Sequence, residues 1–239
     1  MTAETVLTFQ LAATLAAMGE IAVGERRGSW DRPARSAVFG LIAACLGLDR
    51  ADEAAHLALD RDYGLALRVQ GCGGVLADYH TAQAPSARRG RRFATRAQEL
   101  AAPDLNTILS RRDYRAEVLC FAAAWPRTEA PRWGLSELAE ALRAPRFTPY
   151  LGRKSCPFSL PFDPVLANGD PVAALEAHAR RLAAKNLPSW VLPDVPVSVT
   201  IDADAAAGHT VLRCERRRDR LASRVRWQFA LREEAVLAS

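Results

Sequence analysis

With 239 residues, 49% of them hydrophobic, the chain can bury a sizeable core and is too apolar for global disorder. A net charge of +5 and a pI near 9.2 favour polyanionic partners, while an aromatic content of 7% argues against a surface tiled with base-stacking rings. Five dispersed cysteines give neither a CxxC pair nor a disulfide framework, no apolar run approaches the ~20 residues of a membrane span, and residues 1–11 are too short and polar for a secretory signal, so a reducing cytoplasm is the expected compartment.

Residues 5–11 alternate as a first strand should, and residues 15–31 read as a glycine- and arginine-containing connection. After Pro33, Ser36 can cap a helix whose apolar face is Val38, Phe39, Leu41, Ile42, Cys45 and Leu46, and Gly47 ends it. A second short helix is expected over 52–60. Residues 63–70 alternate strictly, Gly71 to Gly74 turn, and 75–81 form a further strand. A long polar interruption then covers 82–106. Extended structure resumes over 107–115 and 117–125, a helix over 136–143 stops before Pro145, and 147–158 is basic and proline-interrupted.

The last third changes character. Asp170 caps and Pro171 opens a helix to about residue 186, 188–196 is a linker, and 197–201, 209–214 and 225–231 are strands. Strand, helix, two strands, an extended segment, helix and strands in that order is compatible with an α+β, ferredoxin-like sheet.

Arginine supplies all the basic residues except Lys154 and Lys185, and it is clustered. A GC-rich genome explains a preference for Arg over Lys but not the clustering. Arg88, Arg89, Arg91, Arg92 and Arg96 fall within nine positions with no acid among them, and Phe93 sits between them to insert or stack. Guanidinium forks match phosphate oxygens and guanidinium planes stack on bases, so this 25-residue insertion reads as a nucleic-acid contact; the plain alternative is a solvated loop. A second set, Arg26, Arg27, Arg32 and Arg35, leads into the first helix. There Arg35 and Ser36 can hold a phosphate at the helix N-terminus, or Ser36 merely caps it. Arg111, Arg112, Arg115, Arg153 and Lys154 form a third set. The run from Arg213 to Arg220 contains Glu215 and Asp219 and reads as a solvated face.

No GxxxxGK[ST], HExxH, GxSxG or GxGxxG motif is present, no metal ligand set is spaced for binding and no cofactor is implied. Tyr79, His80 and Lys154 can in principle cleave RNA without a metal; the plain reading is that Tyr79 packs and His80 hydrogen-bonds at a strand end. No RNP1 pattern occurs, so any RNA contact rests on loops and helix ends rather than on an aromatic sheet face.

Several stretches together resemble one family, the CasD-type subunits of type I-E CRISPR Cascade complexes. These are Gly24-Glu25-Arg26-Arg27, the first helix from Arg35 to Arg50, Asp78-Tyr79-His80-Thr81 and Ile108-Leu109-Ser110-Arg111-Arg112-Asp113-Tyr114. The most specific is Tyr150-Leu151-Gly152-Arg153-Lys154-Ser155-Cys156-Pro157 after a helix. The resemblance covers residues 5–165. The chain departs from the family at Ala13-Thr14, at Ala16-Ala17-Met18-Gly19 and at Pro33-Ala34, where many members carry Gly-Pro, Gln-Ala-Trp-Gly and Pro-Thr.

The resemblance implies a ferredoxin-like (RRM-like) palm over 1–165 with a thumb at about 82–106, and a β-rich extension over 166–239. It further implies a non-catalytic subunit that clamps the 5′ handle of the CRISPR RNA beside CasC backbone subunits and the CasA large subunit, meeting target DNA only through the complex. A separate CasE subunit cuts the precursor in type I-E systems; type I-C relatives cut it themselves. The RNA-binding residues expected are Arg26, Arg27, Arg35, Ser36, Tyr79, His80, Arg88, Arg89, Arg91, Arg92, Phe93, Arg96, Arg111, Arg112, Arg153 and Lys154. The competing expectations are a metal-independent endoribonuclease and a protein scaffold whose arginines only confer solubility.

Overall fold

Alternation along the first strand sends its side chains into two different cores. In β1 (Thr5–Ala16), Leu7, Phe9 and Leu11 enter one and Val6 and Ala12 the other. A strand with two buried faces belongs at the centre of a layered molecule, and that is where β1 lies in the computed structural model, which describes residues 5–19, 22, 24–87, 89–185 and 197–238. The strand runs to Ala16, five residues past its expected end, and the connection beyond contains a two-residue strand, β2 (Arg26–Arg27).

Helix α1 (Arg35–Leu46) buries Val38, Phe39, Leu41, Ile42 and Cys45 and stops at Gly47, which takes the left-handed conformation at φ 76°. Ser36 does not cap it. Ala34 occupies the cap position, and the first amide, that of Arg35, donates 2.9 Å to the Asp219 carboxylate from far along the chain. Asp52 caps α2 (Glu53–Asp62), and β3 (Tyr63–Gly71) follows without a loop.

The expected polar interruption is largely structured. β4 (Val75–Pro85) runs past the predicted end at 81, Thr95 caps the short α3 (Arg96–Leu100), and β5 begins at Leu105. β5 (Leu105–Pro126) is one strand of 22 residues where two segments were expected, with Glu117 at φ 50° marking the join. Then come α4 (Leu135–Arg143), β6 (Val165–Asn168), α5 (Pro171–Ala183, capped by Asp170 as expected), β7 (Ser198–Asp202), β8 (Val211–Ser223) and β9 (Gln228–Leu237). The linker expected over 188–196 lies outside the described residues.

The sheet order is β6-β1-β5-β3-β7-β9-β8, with every neighbouring pair on that path antiparallel; off it, β4 adds antiparallel and β2 parallel to the far half of β5. Helices α1, α2 and α4 cover one face through a core centred on Phe9, Ile42, Leu59, Tyr63 and Leu138. Helix α5 covers the other, packing Leu175, Ala179 and Leu182 on Ala66, Phe121 and Ile201. The chain is therefore a mixed helix and antiparallel-sheet protein with both sheet faces roofed.

The last third is locked to the first by buried charge. Arg35 donates from Nε to Asp60 (3.0 Å), from Nη1 to Asp202 (2.8 Å), and from Nη2 to the carbonyls of Asp60 and Tyr63. Arg232 bonds Asp219, Asp202 and Glu234, while Arg32 and Arg217 close on Glu234. Opposite charges match here, so each buried guanidinium faces carboxylates rather than apolar atoms.

Candidate nucleic-acid interface

The inner half of β5 pairs with β1 and β3, β1 continuing as far as Arg115; from Leu105 to Tyr114 the strand partners among the described residues come from β4 and β2. Eleven consecutive register pairs, from Val75↔Arg115 to Pro85↔Leu105, make β4 and outer β5 a two-stranded arm about 35 Å long at ordinary strand rise. Val75, Leu76, Tyr79 and Ile108 are exposed along it, and β4 has no buried residue. Such a ribbon contributes little to a core, which makes it a feature to be explained by contact with something else.

Residues paired across the ladder share a face. One face carries Tyr79, Arg111 and Asp113; the other carries Asp78, His80, Arg112 and Tyr114. β2 runs parallel to β5 with Arg26 beside Arg111 and Arg27 beside Arg112, so two arginines from each strand meet at the arm's root. Arg26 donates through Nε (3.1 Å) and Nη2 (3.0 Å) to Asp113, and Arg111 donates through Nε (3.3 Å) to the other oxygen. Burial would raise the Asp113 carboxyl, but hydrogen bonds and charge from Arg26 and Arg111 outweigh it and hold it below the ordinary carboxylate range. On the opposite face His80 Nε2 lies 2.7 Å from Asp78, and Arg27 is bonded to the Gly24 carbonyl (2.6 Å).

The segment from Tyr150 to Pro157 folds into a small hairpin closed by a bridge between those two residues and by Leu151 N–H donating to Cys156 O (2.9 Å). It docks on the end of β1 through Ala17 N–H to Leu151 O (3.1 Å). That docking lays the Arg153 guanidinium over the Tyr114 ring at 4.7 Å, at the arm's root, with Lys154 exposed beside it.

At the tip, Arg91 is paired with Asp104 (2.7 Å) and stacked on Phe93 (5.0 Å), and Arg96 is held by Glu99 (2.6 Å) and by the Gln83 carbonyl. Arg89 and Arg92 are exposed and have no ion-pair partner among the described residues. Arg88 lies outside the described residues.

The expected residues thus separate into three groups. Arg26, Arg27, Tyr79, His80, Arg111, Arg112, Arg153 and Lys154 gather at the root and along the arm; Arg89, Arg91, Arg92, Phe93 and Arg96 sit at the tip. Arg35 and Ser36 belong to neither. The Arg35 side chain is buried with its donors engaged by Asp60, Asp202 and backbone carbonyls, and the amide expected to meet a phosphate meets Asp219 instead. Arg32 is likewise internal, so the second basic set divides, its first pair outside and its last pair inside. The run Arg213 to Arg220 divides too: Arg217 and Asp219 are buried, and only their neighbours form a solvated face.

Sequence reasoning missed Asp113 as the anchor of two arginines. The signal was its position two residues after Arg111 in a strand, hence on the same face.

Burial pushes the Cys45 thiol up to about 12 and raises Cys120 further, leaving neither as a nucleophile. Among the described residues no three His, Cys, Asp or Glu side chains gather as a metal site, and no helix is long and apolar enough to cross a membrane.

Known proteins share this organisation. Two solved structures superpose over nearly the whole chain. One is titled a CRISPR RNA-guided surveillance complex, with TM-score 0.60 and 23% identity over 97% of this chain and 88% of that one. The other is titled the crystal structure of a Cas protein, with TM-score 0.56 and 21% identity over 96% and 94%. The CRISPR system Cascade subunit CasD of Escherichia coli (strain K12) is 29% identical over 214 residues, covering 78% of this chain and 90% of that protein. A sequence profile described as CRISPR-associated protein (Cas_Cas5) matches residues 6–233, and the chain belongs to that family.

Proposed function

We propose that this chain is the CasD-type subunit of a type I-E Cascade complex in antiviral defence, and that it holds the 5′ handle of the CRISPR RNA without cutting it. The observation that carries this reading is the exposed β4–β5 arm. It presents arginines on both faces and at its tip, and Arg89 and Arg92 have no acid to neutralise them among the described residues. Arginines at a ribbon's root and tip suit a strand of phosphates, while splayed bases supply sequence preference. Kinship with CasD and the Tyr150 to Pro157 hairpin support the type I-E assignment. The strand order β6-β1-β5-β3, with helices between, supports a ferredoxin-like palm to which the arm is the thumb and which residues 166–239 complete. Roofing by α5 suits RNA gripped by arm and loops rather than laid on the sheet, with CasC and CasA subunits as neighbours, target DNA reached through the complex, and the cytoplasm as compartment.

Strand alternation sends Tyr79 and His80 to opposite faces of the arm, which supports a scaffold over an endoribonuclease built on that pair and Lys154. The deciding experiment purifies the complex with Arg89→Ala and Arg92→Ala together. CRISPR RNA occupancy should fall, and the salt dependence of binding should become shallower by roughly one unit of slope for each phosphate that is no longer neutralised. Unchanged occupancy would refute the arm's role. A specific cut in repeat RNA by the chain alone, abolished in His80→Ala, would establish the enzyme instead.

A further inference from the structure

We propose that Arg26 and Arg111, pinned by the buried carboxylate of Asp113, form a seat for one phosphate of a single-stranded RNA, with Tyr79 beside it as the platform for an adjoining unstacked base. This rests on the RNA-binding reading above and specifies where on the arm one nucleotide sits.

The Asp113 side chain is 2% exposed, whereas the two arginine side chains it holds are 69% and 54% exposed. The carboxylate lies beneath and the arginines face outward. Arg26 spends Nε and one Nη2 hydrogen on Asp113; Arg111 spends Nε. Arg26 Nη1 and both Nη groups of Arg111 have no other partner among the described residues, so donors from two forks remain for one ligand. Burial opposes the anionic form of Asp113 and the two arginines restore it, so the anchor stays charged. Two cations over one anion leave a single net positive charge, which matches the single negative charge of a phosphodiester.

The seat is also preorganised. Arg26 and Arg111 are register partners in a parallel pair, and Arg111 N–H donates to the Glu25 carbonyl (3.0 Å), fixing β2 against β5. A pinned guanidinium loses less rotamer freedom on binding than a free one. Directly across the ladder from Arg111, on the same face, stands Tyr79 at 62% exposure. A base can lie on that ring only after leaving its own stack, so the seat takes an unpaired strand and rejects a duplex.

The test measures binding of the full chain to a short labelled single-stranded RNA from the host CRISPR repeat, and to the same strand annealed to its complement. Asp113→Asn makes the protein more positive by one charge, so bulk electrostatics alone would tighten binding. The seat instead requires Asp113→Asn to weaken it, by about five- to tenfold. In an Arg26→Ala/Arg111→Ala background the same change should cost nothing further, because the anchor then has nothing to hold. Tyr79→Ala should weaken the single strand and leave duplex binding unchanged, and Tyr79→Phe should restore it. Asp113→Asn binding as tightly as wild type, or weakening binding by the same factor in the double-alanine background, overturns the seat. Tyr79→Ala without effect on the single strand overturns the platform. Wild-type chain that fails to bind the strand overturns the RNA-binding reading and the seat with it.

Discussion

A methyl group at Gly152 has no room. The residue sits at φ 90°, and a Cβ there would lie 1.8 Å from the Ala17 carbonyl oxygen, a backbone atom that cannot swing aside. Gly152→Ala should destabilise the protein by about 3 kcal/mol in urea melts and release Arg153 from Tyr114. His178 makes a second prediction of the same grain. Burial, reinforced by Arg181, lowers its imidazole to about 4, and Nδ1 lies 2.8 Å from the Thr8 hydroxyl. The unfolded chain takes up this proton near pH 6.5 and the folded one only near 4, so the contribution is fully present above 6.5 and is lost as pH falls between those values. The slope is at most about 1.4 kcal/mol per pH unit. Urea midpoints of wild type and His178→Gln should diverge less at about pH 4.5 than at about pH 7. At this scale the sequence misleads most where partners are remote. Arg35 reads as a phosphate ligand because the acids that claim it, Asp60, Asp202 and Asp219, lie 25, 167 and 184 positions away.

Among elements, α1 and the arm show what a sequence can and cannot reveal. The apolar stripe of α1 is plain because burial imposes a period on it. The arm has no such imprint: β4 is exposed on both faces, so no alternation marks its course from residue 81 to Pro85, and its tip reads only as polar. The arginines there are legible by composition; their geometry is not. Because the arm lacks a core, amides over 75–85 and 105–112 should exchange with deuterium far faster than those of β1 and inner β5, and bound RNA should slow them selectively. Helix α1 depends on a distant element for its cap. Asp219→Ala frees the Arg35 amide and deprives Arg232 of its strongest partner, and should cost about 3 kcal/mol in a denaturant titration.

For the whole molecule, the final third is structural rather than appended. α5, β7 and β9 cover Val6, Ala66, Leu119, Phe121 and Trp125, and the ion network fastens β7–β9 to α1 and α2. A chain ending at residue 165 should bare that apolar face and fail to give a monodisperse, cooperatively unfolding species by size exclusion and circular dichroism.

The join within β5 has its own consequence. Around Glu117 one edge of the strand changes partner, from β4 outside to β3 inside, while β1 runs along the other edge as far as Arg115, and Glu117 itself takes a left-handed conformation that a side chain tolerates poorly. Arm and palm thus share one continuous strand with an elbow at Glu117, where the backbone of that residue acts together with the β1 pairing and the Gly73 and Gly74 contacts to Ala116 to set the arm's angle. Glycine at 117 would loosen that elbow and valine would stiffen and strain it, while every arginine on the arm kept its own neighbours.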